Sequence, residues 1–136
     1  MNALALLSLA WTIAVWAAPP TASPAAVIAS VEDLLSHPEL RKAPIVIIRQ
    51  PQLGGKAFLA ATPHEARRGD VLLQRQRARN LCRLVGYSEP ATPAISPFCN
   101  SSELLEADER GGTSSRRGTY FGEYCAAIFS EITCLK

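Results

Sequence analysis

Histidine, tryptophan and methionine are scarce in this 136-residue chain, with two, two and one respectively, and each shortage narrows what the protein can do. His37 and His64 stand far in sequence from any cysteine, and no two cysteines have the C-x-x-C spacing that lets a tight turn present two thiolates to one metal ion. A zinc site is therefore not expected, and neither is any cofactor. Also missing are H-E-x-x-H, a nucleophile elbow, a phosphate-binding glycine loop and a paired-carboxylate motif. Charge of one sign is not in large excess. The 14 lysines and arginines against 12 aspartates and glutamates leave +2, too little to indicate a nucleic-acid or membrane partner from the total alone. There is no internal repeat. The length and the 48% hydrophobic fraction permit one modest domain and exclude a solenoid, a collagen or a charged disordered tail.

What is present begins with an uncharged run from Asn2 to Ala18 that meets Pro19-Pro20. It is shorter than the roughly 20 residues a membrane-crossing helix needs, and Val15-Trp16-Ala17 offers compact residues where signal peptidase reads. Residues 1–17 are expected to be a signal peptide cleaved after Ala17; the run has no Lys or Arg before it, and the alternative is an uncleaved N-terminal anchor. No cysteine follows the run directly, so lipid anchoring is unsupported. A secreted or periplasmic location follows, with no integral membrane segment after cleavage. Removing the leader takes both tryptophans, Trp11 and Trp16. The core is then left to aliphatic residues and to Phe58, Tyr87, Phe98, Tyr120, Phe121, Tyr124 and Phe129.

Cys82, Cys99, Cys125 and Cys134 all lie downstream of the leader. An even number of cysteines in an exported chain reads as two disulfides that staple the fold. Three connectivities are possible. Cys82 with Cys134 and Cys99 with Cys125 is preferred, because it ties the helix bearing Cys82 to the last strand and closes the polar stretch between Cys99 and Cys125.

Residues 18–23 read as a flexible Pro/Ala-rich leader and 24–136 as a single domain. Ser23 and Pro24 suit the start of a helix over 24–36, with Val27, Ile28, Val31, Leu34 and Leu35 on one face and Pro38 beyond its end. Ala43 to Ile48 reads as a buried strand. Gly54-Gly55 reads as a turn, with Lys56 to Ala61 able to pair back. Thr62-Pro63-His64-Glu65 is a capping box, and Gly69 interrupts the helix it starts. Asp70 caps a second helix that runs to Val85 and ends at Gly86, with Val71, Ala78, Leu81, Cys82 and Val85 on its core-facing arc. Three prolines make Tyr87 to Pro97 irregular extended chain, polarity makes residues 100–118 a mobile loop, and Ala126 to Leu135 alternates as a strand. The fold class is α+β, a small disulfide-stapled domain with two or three helices packed on a small sheet.

The string Ala78-Arg79-Asn80-Leu81-Cys82-Arg83-Leu84-Val85-Gly86-Tyr87, with Ile132-Thr133-Cys134 much later, resembles part of a scavenger-receptor cysteine-rich domain. That family carries a helix of pattern A-x-x-[VL]-C-R-x-x-G-[YF] and a later strand ending in hydrophobic-x-Cys. The likeness is confined to Ala78–Tyr87 and Ile132–Cys134, and the family's upstream W-G-x-[VI]-C strand has no counterpart here. It implies an extracellular binding module in which a curved sheet cradles a helix, with polyanions or proteins as partners and no catalysis.

The charge pattern leads independently to a similar reading. Arg67, Arg68, Arg75, Arg77, Arg79 and Arg83 face only Glu65 and Asp70 within the same segment. The i, i+4, i+8 spacing of Arg75, Arg79 and Arg83 aligns guanidinium forks, which grip phosphate or sulfate bidentately, along about 12 Å of helix. These residues are the candidate ligand-binding site. The competing expectation is a solvated face, or one that docks on the chain's own acidic segment of Glu103, Glu106, Asp108 and Glu109. Nucleic acid is not expected, since no aromatic residues interleave with the arginines. Arg68-Gly69-Asp70 spells an adhesion tripeptide at a helix junction, and Asn100-Ser101-Ser102 fits a glycosylation sequon. The titratable candidates for an enzyme are His37, His64, Glu123 and Glu131. The expectation is a secreted or periplasmic binding protein with no catalytic residue and an unknown protein or polyanionic ligand. The alternatives are an anionic-surface binder using the arginine face and a small hydrolase with no recognisable motif.

Overall fold

The computed structural model describes residues 26–117 and 125–136. The expected signal peptide, the 18–23 leader, Glu123 and the aromatic residues Tyr120, Phe121 and Tyr124 lie outside the described residues. No described helix is long and apolar enough to cross a membrane.

The C-terminal strand Ala126–Leu135 (β10) is the axis of the sheet. Ala127 and Phe129 are buried in its first half and Ile132 and Cys134 in its second. Strict alternation cannot turn odd and even positions to one side, and the shift of register between Phe129 and Glu131 accounts for the change. Along one edge β10 pairs antiparallel with Ile45–Arg49 (β2) and then with Leu59–Ala61 (β5). Along the other it pairs with Glu89–Pro90 (β6) and Ala94–Phe98 (β7).

A short strand Ala26–Ile28 (β1) extends the sheet parallel to β2, where a helix is expected from residue 24. The β-branched pair Val27 and Ile28 takes Val46 and Ile47 as partners, and the chain turns helical only at Val31–Ser36 (α1). There Ser30, not Ser23, supplies the cap, its Oγ accepting from the Asp33 N–H at 3.0 Å. Beyond α1, Pro38–Lys42 forms a 3-10 helix, and Arg41 donates back to the carbonyls of Leu34 at 2.6 Å and Leu35 at 3.2 Å.

Gly54 and Gly55, with φ of +60° and +77°, turn Gln52–Leu53 (β3) into Lys56–Ala57 (β4). Two consecutive positive φ values are what the tight hairpin turn requires. The capping box at Thr62 and Glu65 opens Pro63–Arg68 (α2), Gly69 takes the left-handed conformation, and Asp70 caps Val71–Leu84 (α3). Helix α3 lies against β5, β6 and β10, with Ala78, Leu81 and Cys82 fully buried. Val71 departs from the expected core arc. It is 68% exposed because the first turn projects past the buried stretch, which begins at Arg77.

Two stretches expected to be irregular are strands. The prolines between Tyr87 and Pro97 fit β6 and β7 because β7 is an edge strand, where a missing N–H leaves no gap in the ladder. Within 100–118, the expected mobile loop, Glu103–Ala107 (β8) and Thr113–Arg117 (β9) form an antiparallel hairpin. All of β9 is exposed, so its composition reads as loop. Across from it Leu104, Leu105 and Ala107 are buried, and β8 also packs on α3. Asp108 closes the reversal, its Oδ1 accepting from the N–H groups of Arg110 at 2.9 Å and Gly112 at 2.8 Å.

The architecture is α+β, a small domain with three α-helices among the described residues, packed on its sheets, and two disulfides. Cys82 of α3 is bonded to Cys134 of β10, and Cys99 after β7 is bonded to Cys125 before β10. No described cysteine is free. Such bonds fit an oxidising compartment.

Candidate functional site

The arginines of α3 separate into two groups by the angle at which each leaves the helix. Arg77 points inward and is only 5% exposed. Its Nε donates to Glu106 at 3.0 Å, its Nη1 donates to the Ala60 carbonyl at 3.1 Å and to Glu65, and its Nη2 donates to Glu65 at 3.1 Å. Burial opposes its charge, but the hydrogen bonds and charges of Glu65 and Glu106 outweigh that and raise its pKa. Arg77 thus locks α3 to α2, β5 and β8 and has no free donor face for a ligand.

Arg75, Arg79 and Arg83 leave the opposite side. Together with Gln76, Asn80 and Glu109 they line a shallow groove. Arg75 and Arg83 are exposed and make no ion pair or hydrogen bond to a described residue. Arg79 is half-buried. Its Nε has no hydrogen-bond acceptor, with the Glu89 carboxylate standing at 3.7 Å. The structure therefore brings all three sequence-selected arginines to one surface and leaves Arg75 and Arg83 without a partner among the described residues.

The acidic segment does meet α3 through Glu106 and Glu109, two of the residues the competing expectation names, but they meet Arg77 and Gln76 and not the row of Arg75, Arg79 and Arg83. Glu106 receives Arg77 and also Arg116 at 3.0 Å, and Glu109 receives Gln76 at 3.1 Å. Glu103 pairs with Lys56 at 2.8 Å across β4 and β8, which holds its carboxyl below the ordinary value. None of these acids is bonded to Arg75, Arg79 or Arg83 among the described residues.

The remaining candidates lie apart. His37 is at the end of α1 beside Glu39, His64 is exposed in the first turn of α2, and Glu131 on β10 pairs with Arg49. No contact links them among the described residues, where no group of three or more His, Cys, Asp or Glu gathers either. In the Arg-Gly-Asp tripeptide, Asp70 caps α3 with one oxygen and holds Arg68 at 3.3 Å with the other. Asn100 is exposed after Cys99, its Oδ1 accepting from the Ser102 N–H at 2.9 Å. A second depression beside Ser30, Glu32, Arg49 and Gln52 has its charges engaged, Glu32 by the Gly54 N–H at 3.0 Å and Arg49 by Glu131.

Reading the sequence by spacing missed Leu72, which lines the arginine groove and is 82% exposed. At 100° per residue it falls between Arg79 and Arg83, so the same helical projection contains the signal. No family model, curated protein or solved structure matches this chain.

Proposed function

We propose that the protein is an exported binding module whose recognition surface is the outer face of α3, and that it acts by holding a polyanionic partner and not by catalysis. One observation carries this reading. On a single helix Arg77 is buried with every guanidinium nitrogen bonded, whereas Arg75 and Arg83 open onto one groove without a partner among the described residues and the half-buried Arg79 beside them is held only by Glu89 at 3.7 Å. A guanidinium fork matches the paired oxygens of a sulfate or phosphate ester, and aligned forks on a rigid helix need little reordering when they bind.

The scaffold supports the reading. The disulfide from Cys82 to Cys134 fixes α3 on the sheet from behind and leaves its outer face free for a ligand. The uncharged run at the N-terminus and the paired cysteines support export to a secreted or periplasmic location. The partial resemblance to scavenger-receptor cysteine-rich domains points to the same ligand class. The separate placement of His37, His64 and Glu131 gives the hydrolase alternative no support.

Retention on immobilised heparin tests the reading. Replacing both exposed residues, Arg75→Gln with Arg83→Gln, should lower the salt needed for elution and leave the melting temperature unchanged, because neither side chain is bonded to the fold. Elution at the parent's salt concentration, or no retention of the parent itself, would refute it.

A further inference from the structure

The first turn of α3 presents Val71 and Leu72 to solvent at 68% and 82% exposure, above the values of Ile28 and Ile95, the other exposed large aliphatic residues among those described. At 100° per residue, Val71, Arg75, Arg79, Leu72 and Arg83 follow one another across about 120° of the helix surface. The aliphatic pair and the arginines therefore share a face. Arg75 stands between two depressions, one lined by Val71 with Ala91, Thr92 and Pro93, the other by Leu72 with Arg79 and Arg83.

We propose that this face docks on an anionic lipid bilayer, with Val71 and Leu72 entering the boundary between headgroups and acyl chains and Arg75, Arg79 and Arg83 meeting the lipid phosphates. The proposal rests on the polyanion-binding reading above and gives the anion a source. A soluble polyanion satisfies the guanidinium groups but leaves Leu72 in water. A bilayer interface takes both, because apolar side chains sink below the headgroups while long cationic side chains reach phosphate level from the same helix. A second copy of the chain is a poorer occupant, since pairing this face with itself sets arginine against arginine. Two acids border the face, Glu89 at 3.7 Å from Arg79 and Glu109 accepting from Gln76 at 3.1 Å, so Arg75 and Arg83, which pair with no acid among the described residues, are the leading contacts to phosphate.

Co-sedimentation with vesicles tests the proposal, using phosphatidylcholine alone and phosphatidylcholine mixed with phosphatidylglycerol. The parent protein should partition onto the mixed vesicles and not onto the neutral ones. Val71→Ser with Leu72→Ser should reduce that partition about tenfold with the melting temperature unchanged, and Arg75→Gln with Arg83→Gln should reduce it at least as far. Undiminished partition of the Val71→Ser, Leu72→Ser variant overturns the bilayer proposal and leaves the arginine reading standing. So does a parent that is held by heparin but passes the mixed vesicles, which would make the ligand a soluble polyanion or an acidic protein. Equal binding to neutral vesicles overturns it as well, and a parent held by neither vesicles nor heparin refutes the underlying reading too.

Discussion

Arg77 and Arg79 stand two positions apart on α3, and a rotation of about 200° between them decides that one is structural and the other available. The structural one sits in an acidic cage, and Glu65 is the more exacting of its partners. Burial alone would push the Glu65 carboxyl up, but the hydrogen bonds and charge of Arg77, together with the Thr62 hydrogen bonds, outweigh it and hold that carboxyl below its ordinary value of 4.5. The folded chain therefore binds this proton more weakly than the unfolded chain does. The stabilisation is complete above the unfolded value and is lost as pH falls through the lower folded one. Replacing Glu65 with Gln leaves Arg77 buried with Glu106 as its remaining carboxylate, which should cost about 3 kcal/mol at neutral pH. Urea unfolding at pH 7 and pH 3 checks both parts: the variant should be weaker at pH 7 and lose less on acidification. An acid loss as large as the parent's would show that Glu65 is not the group responsible.

Among the elements, those that end in a side chain bonded to nearby backbone are the ones the sequence made legible. Thr62 with Glu65, Gly69 and Asp70 act within a few residues, so α2 and α3 are found with nearly correct limits. The same holds for the glycine turn between β3 and β4. Elements that depend on a distant partner are not legible in this way. Val27, Ile28, Val31 and Leu34 have helical spacing, yet the first two belong to β1 because Val46 and Ile47 wait across a parallel ladder. The polar β9 is a strand only because β8 beside it is anchored by Leu104 and Leu105. The candidate site divides similarly. The i, i+4, i+8 row of Arg75, Arg79 and Arg83 is visible by counting, whereas the burial of Arg77 depends on Glu106, 29 residues away. Local capping also sets the entry to α3, and Asp70 is the test of it. Its Oδ1 accepts from the Leu73 N–H at 3.2 Å, so Asp70→Ala should cost about 1 kcal/mol in denaturant unfolding. Asp70→Ser should recover most of that loss, since its hydroxyl accepts the same bond, and equal losses for the two variants would remove the cap from the account.

Across the whole molecule, β10 is pinned at both ends. Cys125 ties its start to the end of β7 through Cys99, and Cys134 ties its far end to α3 through Cys82. The two bonds differ in length of chain enclosed and in access. The Cys82–Cys134 bond spans 52 positions and the Cys99–Cys125 bond 26, which by restriction of the unfolded chain corresponds to about 4 and about 3.5 kcal/mol. Cys82 and Cys134 are fully buried in the main core, while Cys99 is exposed at the strand end. A reducing thiolate must reach a sulfur directly, so access sets the order of opening under native conditions. With limiting reductant and rapid alkylation, Cys99 and Cys125 should be labelled first, in a species that keeps α3 seated and still binds heparin. Cys82 and Cys134 should be labelled only at the rate of global unfolding, and that rate should rise once the outer bond is gone, because the remaining chain is less stable. Peptide mapping by mass spectrometry reads the order directly. Early labelling of Cys82 would mean that α3 leaves the sheet while the rest stays folded, and the face carrying Arg75, Arg79 and Arg83 would then lack the fixed platform that the proposed polyanion binding requires.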